Sequence, residues 1–108
     1  MNTQNFASLE ACKRLVEAGI VLKTEAYWIR VANSPMMLVD NRHGADEYYP
    51  APSMVEVWRE LPNNAALLKN KVYYTSIGGS DNAYKEFTSE NPIDALIDLL
   101  IYIRKEKP

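Results

Sequence analysis

"NPIDALIDLLIYIRKE", residues 91–106, decides how the rest of the chain is read. Asn91 is placed to cap a helix with its side chain, and Pro92 stands at the first helical position, where a missing N–H costs nothing. Ile93, Leu96, Ile97, Leu99, Leu100, Ile101 and Ile103 then cover more than half of the circumference, leaving Asp94, Asp98 and Lys105 on a narrow polar side. One sheet surface does not need a face that wide. Either the helix is central and flanked by other helices, or part of it, Ile101 included, is buried by another chain.

Upstream, "YYPAPSMVEVWRELP" (48–62) predicts a second, short helix. Pro50 and Pro52 give an extended lead-in. Ser53 and Glu56 complete the S-x-x-E capping box, and Met54, Val57, Trp58 and Leu61 follow at helical spacing as one inward row. A PxxP-type ligand needs an exposed extended segment, whereas here the prolines lead straight into the helix. The pair Tyr48 and Tyr49 is not used up by that helix and stands as a candidate binding edge.

The first helix is predicted over "SLEACKRLVEAG" (8–19), with Ser8 as cap and Gly19 as the left-handed residue beyond the last turn. Leu9, Cys12, Leu15 and Val16 share a face that should point inward, making Cys12 a small core residue. Between the helices, "TEAYWIRVA" and "MMLVD" predict a hairpin, and "KVYYTSI" and "AYKEFT" a second one around "GGSDN". "NNAALLKN" reads as a loop or half-turn. In the first strand the row Tyr27, Ile29, Val31 is the better buried face, which puts Trp28 on the exposed side. "IGGSDN" is read as a turn, because a phosphate loop requires a helix with lysine and Ser/Thr directly after its glycines.

These elements give one domain over residues 1–108, of class α+β in the order α-β-β-α-β-β-α, with a small four-stranded antiparallel sheet packed with three helices. A formal charge of −2 and a pI near 5.4 argue against nucleic acid as partner, which calls for clustered cations. "RKEK" (104–107) suits a helix C-terminus. One cysteine, the lack of a secretory pattern in the opening residues and no apolar run long enough for a bilayer predict a cytoplasmic protein without membrane association.

"YYPAPSMVEVWRELP" followed by "NPIDALIDLLIYIRKE", with the upstream "ACKRLVEAGI", resembles small uncharacterised proteins encoded by phages and prophages. Members of that group have a Y-x-A-P-S/T helix start ahead of a C-terminal N-P-x-x-A-L helix. The resemblance implies a mobile-element origin and a cytoplasmic location, and carries no catalytic residues.

The residues themselves point to a small protein-binding or adaptor module, acting on a protein partner or by self-association, with Trp28, Tyr48, Tyr49 and Ile101 as interface candidates. Two alternatives are single-stranded nucleic-acid binding by sheet aromatics, and a small enzyme using His43, Asp46 and Glu47 in the loop "NRHGADE". His43 lacks a nucleophile or metal-ligand pattern around it, so no catalytic residue, metal or cofactor is assigned.

Overall fold

A computed structural model describes residues 5–62, 65–70, 72–77 and 85–106. The elements are α1 (Leu9–Glu17), β1 (Ala26–Arg30), β2 (Met37–Val39), β3 (Glu47–Ala51), α2 (Met54–Trp58), β4 (Ala65–Asn70), β5 (Val72–Ile77), β6 (Lys85–Ser89) and α3 (Pro92–Glu106). The class is α+β with three helices and antiparallel pairing. The expected single four-stranded sheet is replaced by two three-stranded sheets, ordered β2-β1-β3 and β4-β5-β6. Each half of the chain supplies one strand more than expected. β3 arises because proline is tolerated on an edge strand, and Pro50 lies opposite Tyr27 on the outer strand of the first sheet. β4 is the "AALLKN" segment, whose pairing with β5 from Ala65↔Ile77 to Asn70↔Val72 overrides its weak strand propensity. The turn expected at "GGSDN" lies outside the described residues.

Local signals position the helices as the sequence predicts. Ser8 accepts from Ala11 N at 3.2 Å, and Gly19 follows α1 at φ +74°. Ser53 and Glu56 form the reciprocal capping box, with Ser53 N donating to Glu56 Oε1 at 2.8 Å and Glu56 N to Ser53 Oγ at 3.4 Å. Asn91 Oδ1 accepts from Ile93 N at 2.8 Å.

α3 is central. Its neighbours are α1, α2, β5 and β6 of the same chain, and Ile93, Leu96, Ile97, Leu99 and Leu100 are fully buried. Burying each such side chain contributes about 1.5–3 kcal/mol, so this helix organises the core. The wide apolar face that suggested cover by another chain is therefore covered internally. Even the narrow polar side is used: Asp94, 9% exposed, accepts from Ser8 N at 2.9 Å, and Asp98 pairs with Arg14 at 3.0 Å. Both carboxylates hold α1 against α3.

Three placements differ from expectation. On α1 the inward face consists of Ala11, Cys12 and Leu15, packed toward β3 and α3, while Val16 is exposed. On α2, Val57 is buried and Leu61 packs on the core, but Trp58 is 45% exposed. A helix of five residues presents too short a row to bury all four positions. On β1 the row packed on the main core is Ala26 and Trp28 rather than the expected one, of which Ile29 alone is buried. Ala26 lies opposite Ala51, and Trp28 lies between Leu38 and Tyr49; this row faces α1 and the core. Ala26 and Ala51, both fully buried, leave room for the helix to approach, and the Trp28 indole satisfies its N–H on Ala7 O at 2.9 Å.

Candidate functional site

This packing of β1 divides the aromatic residues between two faces. On the inner face Trp28 is half-buried and tied to Ala7 O, and Tyr49 packs against the core with Lys13 Nζ 5.6 Å from its ring centre. The Tyr49 hydroxyl donates to Glu47 Oε2 at 2.7 Å, and Glu47 is ion-paired with Arg30 on the neighbouring strand. That bond to the carboxylate, helped by burial, pushes the Tyr49 phenol above its ordinary value. Trp28 and Tyr49 thus hold the sheet on α1.

The outer face carries Tyr27, Ile29, Met37, Val39, Tyr48 and Pro50, since residues directly opposite in an antiparallel ladder project to the same side. Ile29 is buried there, outside the main core, between its partners Met37 and Tyr48. Tyr48 is 44% exposed and meets Tyr27 edge-to-face at 6.2 Å. The loop from β2 to β3 returns over this pair. It places the Arg42 guanidinium 4.5 Å from the Tyr48 ring centre and 5.9 Å from that of Tyr27.

That loop is internally bonded. His43 N donates to Asn41 Oδ1 at 2.6 Å, and Ala45 N to Arg42 O at 3.1 Å, closing a turn in which Gly44 supplies φ +78°. Asp46 N then donates to Arg30 O at 2.9 Å, while Asp46 Oδ2 accepts from Ala32 N at 2.6 Å, fixing Ala32 at φ +53°. Tyr27, Asp40, Asn41, Arg42, His43 and Gly44 line an open hollow of about 560 Å³.

The four interface candidates therefore fall in three places. Tyr48 lies on the outer face; Trp28 and Tyr49 lie on the inner one; Ile101 is half-buried along the seam of α1 and α3, beside Arg14, Glu17 and Lys105. Sequence reading passed over Tyr27 and Arg42. Tyr27 was assigned to the wrong face, and Arg42 sat unremarked in a polar loop whose path only the fold reveals. In that loop His43 is exposed, and the carboxylates of Asp46 and Glu47 are already engaged in structural bonds.

Cys12 is buried and its thiol donates weakly to Ala7 O at 3.8 Å. Burial first, and the charge of Asp94 second, push it up to about 12 against the opposing pull of Arg14. A thiol so protonated is a poor nucleophile. Among the described residues there is no group of three or more His, Cys, Asp or Glu side chains that could hold a metal ion, and no helix long and apolar enough to cross a membrane. Comparisons with protein-family models, curated proteins and solved structures return no match.

Proposed function

We propose that this chain is a small cytoplasmic protein-binding module of the phage or prophage type, engaging its partner through the outer face of its first sheet. The observation that supports this reading is the cluster of exposed Tyr48 and Arg42 with half-buried Tyr27, on the sheet face that also carries exposed Met37. Tyr, Arg and Met are the residue types enriched at protein interfaces, and this cluster is held in place before any partner arrives. A partner other than a second copy is favoured, because the apolar face of α3 that argued for self-association is occupied within the chain. Base stacking is disfavoured, since Arg42 already lies over the Tyr48 ring and Asp40 borders the hollow.

The test is affinity capture with chemical crosslinking, comparing wild type, Tyr48→Ala and a control change on α2, Val55→Ser. A partner retained by wild type and the control but lost by Tyr48→Ala is the expected result. Loss with Val55→Ser and retention with Tyr48→Ala would move the interface to α2. Light scattering on the same samples reports self-association directly.

A further inference from the structure

Arg42 differs from its fellow arginines in how it is held. Of the other four, Arg14, Arg30 and Arg104 each pair with a carboxylate, of Asp98, Glu47 and Glu60, and Arg59 has no such pair among the described residues but lies over no aromatic ring there either. Among the described residues Arg42 has no carboxylate partner, and its guanidinium instead rests on two tyrosine rings. We propose that Arg42 is a carboxylate-reading residue, and that the hollow beside it docks an acidic segment of the partner protein. The inference rests on the binding function proposed above and adds the chemistry that the partner presents.

Geometry supplies the first reason. A cation held over aromatic rings keeps its charge, and with no carboxylate paired to it the guanidinium retains N–H donors for the paired bonds that suit a carboxylate. The second reason is preorganisation. The turn from Arg42 to Ala45, the bond from His43 N to Asn41 Oδ1 and the ladder bond at Asp46 hold the loop, so docking does not have to order it. Charge and shape decide the class of ligand. Asn41 and His43 add hydrogen-bonding groups, but Asp40 also borders the hollow, which penalises a dianionic phosphate more than a singly charged carboxylate. The hollow is open, and Tyr27 in its lining meets the exposed Tyr48 ring, which gives the apolar neighbours of an acidic residue a surface to cover.

The probe is an acetylated and amidated Glu-Leu-Glu-Leu-Glu peptide titrated into the ¹⁵N-labelled full chain. Its Gln-Leu-Gln-Leu-Gln counterpart and inorganic phosphate are run as separate arms. Saturable shifts of the Arg42 side-chain N–H and of the Gly44 and Tyr48 amides are expected, with the glutamine peptide at least ~10-fold weaker for loss of the charge-assisted pair. Arg42→Lys keeps the charge but loses the fork and the stacking, and should weaken binding ~5-fold or more. Equal binding of the glutamine peptide, no saturable shift at millimolar peptide, an unchanged affinity in Arg42→Lys, or a stronger saturable response to phosphate would each overturn the proposal. If the acidic peptide fails while Tyr48→Ala still abolishes capture, only the carboxylate chemistry falls. If both fail, the outer face is not the binding surface.

Discussion

Glu56 is the residue whose replacement tests the packing logic most sharply, because its two oxygens serve two different tasks. Oε1 accepts from Ser53 N at 2.8 Å and closes the capping box of α2, while Oε2 accepts from Glu25 N at 3.1 Å and ties the segment before β1 to that helix. Hydrogen bonds to a charged acceptor contribute about 1.5–3 kcal/mol, and these two, one part-buried and one exposed, belong at or below the low end. Glu56→Ala should therefore cost ~2 kcal/mol. Glu56→Gln should cost about half of that, since glutamine keeps one acceptor for the box but turns an amide NH₂ toward the Glu25 N–H. With a urea m-value of ~1.5 kcal/mol/M, the midpoints fall by roughly 1.3 M and 0.7 M. Amide exchange separates the two bonds. Glu25 should lose protection in both variants, Ser53 only in the alanine one. Equal losses for alanine and glutamine, or a glutamine variant that keeps Glu25 protected, would refute the division of labour.

Three further outcomes follow from the core. Cys12, with its thiol pushed up to about 12, should resist iodoacetamide at pH 8 in the native protein and react only in denaturant; native-state labelling at the free-thiol rate would contradict its burial. Asp98 has its carboxyl raised by burial, with Arg14 opposing, so its native form holds a proton more tightly than the unfolded chain does. Its contribution then falls as pH rises from the ordinary value of 3.8 through the raised native one, and Asp98→Asn should flatten the urea midpoint over that window relative to wild type. Trp28→Phe removes the donor to Ala7 O, leaving that carbonyl the distant Cys12 thiol. It should cost about 1–2 kcal/mol in chemical denaturation and deprotect the Ala7 amide, which is bonded to Pro52 O. A Phe variant as stable as wild type would show that the indole bond contributes nothing net.

What could be read in the sequence was whatever depends on a few adjacent residues. The caps at Ser8, Ser53 and Asn91, the box to Glu56 and the Gly19 terminator each arise from short-range bonds, and each is present in the fold. The wide apolar face of α3 was equally legible, but whether this chain or another one covers it was not, and the packing of α1, α2, β5 and β6 around the helix decides that. Nor was the side of a strand legible. Alternation in β1 identifies two rows but not which one a helix will cover, and larger aliphatic content favoured Tyr27, Ile29 and Val31. Two alanines and an indole that finds a carbonyl reversed the choice, and these are tertiary facts. β3 was hidden by Pro50, since only the sheet order shows that this strand is an edge. The candidate site suffered from both effects: Tyr48 was noticed, whereas Tyr27 and Arg42 acquire meaning only when the β2–β3 loop closes over the outer face.

The bonds between residues near the two ends of the fold bear on how it is made in a cell. Ser8 N reaches the Asp94 carboxylate across 86 positions, and the Asn91 side chain reaches Phe6 O across 85. Closing a loop of that size costs ~4 kcal/mol of chain entropy, which is recovered only when α3 is present to be packed against. On the ribosome, α1 is made well ahead of α3, so the side of α1 that packs on α3 stays uncovered until residues 91–103 have followed it out of the exit tunnel, and this part of the assembly waits for them.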